Sequence, residues 1–261
     1  MTEIIGYCLS VLIGFSLGLI GGGGSILTVP VLVFFFGIEP SLATTYSLFI
    51  VGLAAIAGSI NHYRMHNISY KTVLLFGIPS VIILFIVRHW LLKMMPAIIF
   101  HTDKLVVTKS SFVLGVFAAL MLVAGWTMIR QRTYAPSKEK QSFTRLIIQG
   151  ALTGAVTGFI GIGGGFIIVP SLVLFAGLPM KKAIGTSLTI ITVNCIVGLL
   201  GNIESTASIN YLFLFIFSAC AIAGIIIGTQ ATRVIPDKKL KPVFGWLILL
   251  MSIVVFIRLF K

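Results

Sequence analysis

One helix-breaking device occurs twice in this chain, and it limits the possible folds more than any other feature. Ile20-Gly21-Gly22-Gly23-Gly24-Ser25-Ile26-Leu27-Thr28-Val29-Pro30 places four glycines and a proline around an apolar run. Ile160-Gly161-Ile162-Gly163-Gly164-Gly165-Phe166-Ile167-Ile168-Val169-Pro170 repeats it in the second half of the chain. Residues 14–58 align with 154–198 without a gap, with 18 identities in 45 positions. Shared apolar composition does not account for that agreement, so the chain reads as a duplication with a broken helix in each half.

The flanking sequence names the solvent. Of the 261 residues, 58% are hydrophobic and only 10% charged, against about 25% charged in soluble domains. Apolar runs of membrane-spanning length recur throughout, which makes this a polytopic membrane protein in one integral unit. A net charge of +13 would suggest nucleic acid in a soluble protein. Here no nucleic-acid partner is expected, because Lys and Arg sit in short loops where they fix orientation against the bilayer. Met1-Thr2-Glu3 carries no basic signal-peptide start, so the first apolar segment is expected to be retained. Cys8, Cys195 and Cys220 are scattered through apolar segments without metal-ligand spacing. They are expected to be reduced thiols, with no metal and no cofactor.

The expected order is a helix over 4–20, a break at 21–24 and a short helix over 25–36 ending at Gly37. Helices follow over 41–60, 70–87 and 110–129. The second half repeats this: 146–160, a break at 161–165, 166–176, then 183–200, 210–231 and 240–259. Pro30 either kinks its short helix or starts the regular part of it. Residues 1–129 form the first membrane repeat, the polar stretch 130–145 a cytoplasmic linker, and 146–261 the second repeat. The loop 88–108 is basic and has room for a short interfacial helix.

Charge decides how the broken segments cross. If each crosses once, the two sides of the membrane receive 9 and 10 basic residues, which is no bias at all. If each turns back at its glycines, the split is 13 to 6, the asymmetry expected with the richer side in the cytoplasm of a cell inner (plasma) membrane. Length agrees. A 12-residue piece rises about 18 Å, too short for a core about 30 Å thick. The expected fold is therefore all-α, with two inverted repeats. Each has a glycine-broken hairpin, re-entrant or of short helices, followed by three spanning helices. That plan recurs in secondary transporters.

The glycine tips suggest chemistry. Consecutive glycines bare their backbone N–H groups, and the helix that starts there adds its positive end. Anions bind such sites. Gly22, Gly23, Gly24 and Ser25 from one half, and Gly163, Gly164 and Gly165 from the other, are the candidate substrate-binding backbone. Gly24→Val and Gly164→Val are expected to abolish transport. Gly14, Gly18, Gly154 and Gly158 are spaced for close helix packing instead. Thr45, Ser47, Thr186 and Ser187 open the next helices, with Thr189 and Asn194 further along. These neutral groups either orient an oxyanion or join helices to one another. No Asp, Glu, Lys or Arg falls well inside an expected span, which argues against a cation carrier. His62, Arg64 and His66 follow the second helix, as a headgroup anchor or as an entry or proton-coupling site. Metalloprotease, nucleophile-elbow and phosphate-loop motifs are all absent, so no enzyme is expected.

The doubled glycine-to-proline device, with Val29-Pro30 and Val169-Pro170, resembles the sulfite exporter TauE/SafE family of membrane transporters. Ala43/Ser47 and Ala183/Gly185/Thr186/Ser187 are similar to that family's second-helix pattern. The resemblance covers nearly the whole chain. It implies a cell-membrane transporter of sulfite, organosulfonates or other small sulfur-containing or carboxylate anions. Together with the residues, this gives an alternating-access carrier for a small anion. A channel-like anion pore and a non-transporting membrane partner are the rival readings. Proton or sodium coupling, and oligomeric state, stay open.

Overall fold

The computed structural model describes residues 2–22, 24–91, 98–102, 105–130, 143–160, 165–200 and 210–259. Helices dominate these residues. The first half contains α1 (Thr2–Ile20), α2 (Gly24–Phe36), α3 (Pro40–Arg64), α4 (Tyr70–Thr72), α5 (Ile78–Ile86) and α6 (Lys109–Arg130). The second contains α7 (Phe143–Ile160), α8 (Gly165–Leu174), α9 (Met180–Leu200), α10 (Tyr211–Val234) and α11 (Asp237–Leu259). Most boundaries fall close to expectation. Pro40 at the first turn of α3 fits because its missing N–H has no helical partner there anyway. Asn210 caps α10 by accepting from the Phe213 N–H at 3.1 Å, a bond contributing about 1 kcal/mol. Pro30 and Pro170 lie inside α2 and α8.

Two local departures stand out. Val73–Gly77 and Val87–Leu91 are π-helical, so the expected helix over 70–87 is α4 and α5 with a wide turn on either side of α5. Within the basic loop, which has room for a short helix, β1 (Ile98–Thr102) and β2 (Leu105–Thr108) instead form a two-stranded antiparallel ribbon. The reason is local. Ile98, Ile99, Val106, Val107, Thr102 and Thr108 are β-branched and favour extended backbone.

Three described helices are long and apolar enough to cross a membrane: Leu42–Arg64, Met180–Leu200 and Tyr211–Val234. Their outward faces carry bare apolar side chains such as Ile56, Val193, Leu200, Leu212 and Ile227. Water would penalise that belt, whereas lipid does not.

Packing between the halves follows a matched plan. In α1, Ser10 donates to the Phe217 carbonyl at 2.7 Å. A Cβ on Gly14 would strike the Ala221 carbonyl, and one on Gly18 would stand 2.5 Å from the Ile225 carbonyl. In α7, Gly150, Gly154 and Gly158 press against the carbonyls of Phe76, Ser80 and Leu84. Ser10, Gly14 and Gly18 are the repeat counterparts of Gly150, Gly154 and Gly158. Their partners keep the same spacing, with Phe217, Ala221 and Ile225 facing α1 as Phe76, Ser80 and Leu84 face α7. The four glycines expected to serve close packing therefore do so, and each half uses the other's third helix as its partner.

Corresponding helices of the two halves also touch, and they run antiparallel. Along α3 and α9, Gly52 meets Cys195, Ser59 bonds Thr189 at 2.8 Å and His62 meets Gly185. Along α6 and α11, Ser252 donates to the Ala118 carbonyl at 2.8 Å. Further along that crossing, a Cβ on Gly125 would stand 2.9 Å from the Gly245 carbonyl oxygen, and one on Gly245 would stand 3.0 Å from that of Gly125.

α2 doubles back along α1. Its start, Gly24, packs on Ile13 and Leu17, while its end, Phe36, packs on Gly6 and Tyr7. In the second half, Thr153 of α7 bonds Ser171 of α8 at 3.3 Å, so α8 also folds back.

Candidate functional site

The two broken segments meet. α1 ends at Ile20, and Gly21 turns the chain with φ +76°, a left-handed conformation that glycine adopts without strain. Gly22 then lies directly on Gly165, the first residue of α8. A Cβ on Gly22 would collide with the Gly165 carbonyl and stand 2.7 Å from the Phe166 nitrogen. Reciprocally, a Cβ on Gly165 would stand 2.9 Å from the Gly22 Cα. The start of α8 thus sits on the turn that leads into α2, so two positive helix ends approach one place in the protein interior.

α9 carries this junction. The Ser187 hydroxyl shares its hydrogen between the Gly21 carbonyl and its own Ile184 carbonyl, each at 2.8 Å. Ile184 lies against Gly21, and two turns along the same face Ile191 lies 2.5 Å from a Cβ position on Gly165. Ser187 is fully buried, and its hydrogen is already committed to backbone.

The other expected residues separate into distinct places. Gly24 packs inside the α1–α2 hairpin, where a side chain would stand 2.5 Å from the Ile13 carbonyl and 2.8 Å from Leu17. Gly24→Val therefore tests that packing before it tests ligand binding. Thr186, also buried, accepts from the Ser69 N–H at 3.1 Å and pins the turn after α3. Thr45 and Ser47 are buried near the start of α3. Gly23, Gly161, Gly163 and Gly164, and the Ser25 side chain, lie outside the described residues.

His62 differs from expectation. α3 continues to Arg64, so His62 lies within the helix rather than in a loop. It is fully buried against Gly185, which removes it from any headgroup anchor. Arg64 and His66 remain exposed beside it. The sequence held no sign of this, because burial of His62 depends on Gly185 leaving room for it.

The two ends of the bundle differ in chemistry. At one end, Tyr7, Phe36, Tyr46, Phe213 and Phe217 form an aromatic cluster, with Phe36 and Phe213 centroids 4.8 Å apart. Tyr46 Oη accepts from the Asn210 N–H at 2.8 Å, tying α3 to α10. At the other end, Lys71 Nζ lies 4.2 Å from the Phe143 ring centroid and Lys181 Nζ donates to the Arg233 carbonyl at 3.2 Å. Among the described residues no Asp, Glu, Lys or Arg is buried.

Known proteins agree with a membrane transporter. The sequence profile described as sulfite exporter TauE/SafE matches residues 7–255. A probable membrane transporter protein of Xylella fastidiosa (strain Temecula1) is 32% identical over 255 residues, covering 95% of this chain and 92% of that protein. The probable membrane transporter protein YdhB of Bacillus subtilis is 25% identical over 230 residues, covering 88% and 90%. One from Methanocaldococcus jannaschii is 28% identical over 203 residues, covering 74% and 70%. No solved structure matches. A family profile spanning almost the full length, on a chain of apolar helices around a paired glycine junction, places this protein in the sulfite exporter TauE/SafE family of membrane transporters.

Proposed function

We propose that the protein is an alternating-access carrier for a small anion, sulfite or an organosulfonate in the first instance. The substrate's charged head is held where the turn into α2 and the start of α8 meet. The observation that carries this reading is the approach of Gly22 and Gly165. It brings two helix starts from opposite halves together in an interior with no buried carboxylate or ammonium among the described residues. Backbone N–H groups at helix starts are the remaining means of holding an anion there. Candidate partners are Gly22, Gly23 and Gly24 on one side and Gly163, Gly164 and Gly165 on the other. Ser187 holds the first tip in place through Gly21. Ser25, Thr45 and Ser47 line the neighbourhood in this reading, while Thr186 holds the turn after α3.

The halves, 1–129 and 146–261, act as inverted repeats with re-entrant hairpins. Three observations support that. Corresponding helices α3/α9 and α6/α11 cross antiparallel. α2 returns along α1. Lys71, Phe143, Lys181 and Arg233 share one end, as the 13-to-6 charge split requires. That end faces the cytoplasm of the cell inner membrane, together with the linker 130–145.

Two measurements test the proposal. Proteoliposomes preloaded with unlabelled sulfite should accelerate uptake of labelled sulfite, saturably. Flux without such counterflow would favour a pore, and binding without flux a non-transporting partner. Single cysteines at Ser41 and Lys181, in a cysteine-free background, should react from opposite sides of the membrane. Reaction from the same side would remove the inverted arrangement.

A further inference from the structure

Asn194 is one of a few buried polar side chains without a partner among the described residues, and the one on the same helix as Ser187. It is 1% exposed, and among the described residues neither its Nδ2 nor its Oδ1 has a hydrogen-bond partner. Burying an unpaired carboxamide is costly, and a residue that persists under that cost needs an explanation outside the folded chain itself.

Its position supplies one. Residues 187, 191 and 194 of α9 recur at helical spacing and lie along one face. Ser187 on that face bonds the Gly21 carbonyl, and Ile191 packs on Gly165. The remaining faces are otherwise occupied. Gly185, Thr189 and Cys195 meet α3, Ile190 meets Gly77, and Val193, Ile196 and Leu200 are exposed to lipid. Asn194 therefore follows Ile191 by less than one turn, about 5 Å of helix rise, on the face that carries the two tips. Its counterpart in the first half is Ala54, so the duplication contributes only one such amide.

We propose that Asn194 is the substrate-recognising side chain of the anion site, which rests on the function proposed above. The helix starts at the glycine tips point N–H donors at the site. Asn194 adds two more at Nδ2 and, at Oδ1, an acceptor. A site so composed fits a small oxyanion that presents bare oxygens together with one hydrogen-bearing group, such as hydrogensulfite or a hydroxy- or amino-substituted sulfonate.

The test uses full-length protein in nanodiscs with sulfite as the probe, measuring binding by calorimetry and unfolding by a thermal ramp. Asn194→Leu keeps the volume and removes the unpaired polar atoms. It should bind sulfite roughly 10- to 100-fold more weakly, the factor for one lost bond to a charged group, while unfolding at a higher temperature than wild type. Asn194→Asp, which opposes an anion, should also lose binding. Two results would overturn the proposal: Asn194→Leu binding sulfite like wild type, or losing binding together with thermal stability, as a structural amide would. If wild type itself neither binds nor exchanges sulfite, the anion reading of the tips fails, and this inference fails with it.

Discussion

The two halves of this protein share their framework and differ in their polar chemistry. α1 packs on α10 through Ser10, Gly14 and Gly18, and α7 packs on the Phe76–Leu84 stretch through Gly150, Gly154 and Gly158. The spacing is the same in both. Several polar groups do not follow that symmetry. In the second half Asn194 is buried without a partner among the described residues, where the first half has Ala54. Thr28 bonds back to the Gly24 carbonyl at 2.9 Å in α2, where α8 has Ile168. α8 is buried along nearly its whole length, whereas α2 exposes Pro30 and Phe35. Packing tolerates duplication because both copies need the same close approach. A substrate with one charged head has no such symmetry, so the groups that recognise it are free to diverge.

The largest expected effect would break the shared framework. Gly14→Val and Gly154→Val each drive a side chain into a carbonyl of the other half, Ala221 or Ser80. Neither helix moves away without opening its interface, so each should cost about 3 kcal/mol or more. Fluorescence-detected size exclusion after graded heating would show both variants losing the monodisperse peak at similar temperatures. If one tolerates valine, the two interfaces are not equivalent, and the matched spacing reflects sequence ancestry without matched packing.

Gly22→Ala should affect function more than folding. Its Cβ meets the backbone of Gly165 and Phe166 at the junction, so accommodation means pushing the two tips apart by a fraction of an ångström to an ångström. Misplacing binding groups by that amount costs on the order of 100-fold in activity. Counterflow of labelled sulfite should fall accordingly while the protein still purifies as a folded species. Normal counterflow in Gly22→Ala would remove the tip contact from the mechanism.

How much of this was legible in the sequence follows from what each feature depends on. The break at Gly21, the helix boundaries and the packing roles of Gly14, Gly18, Gly154 and Gly158 depend on local backbone chemistry and on spacing, which a sequence displays. The second expected break falls at 161–164, outside the described residues, and Gly165 already starts α8. The partners of those glycines sit on helices far off in the chain, and nothing near the glycines points to them. The wide turns at Val73–Gly77 and Val87–Leu91 leave no trace, since their residues are ordinary helix material. His62 looked like part of a basic cluster because its neighbours Arg64 and His66 are one, and only the space left by Gly185 buries it. Asn194 and Ser187 looked alike, as polar groups on one helix. Ser187 bonds a carbonyl of α9 and a turn from the other half, whereas Asn194 bonds nothing described.

Ser187 and Ser47 offer a finer comparison, because they occupy corresponding positions in the repeat. Ser187→Ala leaves the Gly21 carbonyl without its side-chain donor and should lower stability by about 1 kcal/mol, read as a reduced unfolding temperature in detergent. Ser47→Ala should lose the same amount if Ser47 holds Gly161 as Ser187 holds Gly21. No loss at Ser47 would confine this anchor to the first tip, and would place the functional asymmetry in backbone support as well as at Asn194.

The smallest effect isolates backbone from packing. Gly37 and Gly177 follow α2 and α8 with φ of +63° and +62°, the left-handed turn by which helices end on glycine. At Gly37 a Cβ would meet nothing within 4 Å. Gly37→Ala therefore carries only the conformational penalty, about 1 kcal/mol, and Gly37→Asn less, because asparagine tolerates that region. Since the dihedral is the same in both turns, Gly177→Ala should lose at least as much. Any excess over Gly37→Ala is then packing around Gly177 alone, next to the buried Ala176 and Leu178. Paired unfolding curves of the two alanine variants would give that difference. A smaller loss at Gly177 than at Gly37 would mean that the α8–α9 turn relaxes where the α2–α3 turn does not. The second hairpin would then be the more mobile half of the junction, despite its deeper burial.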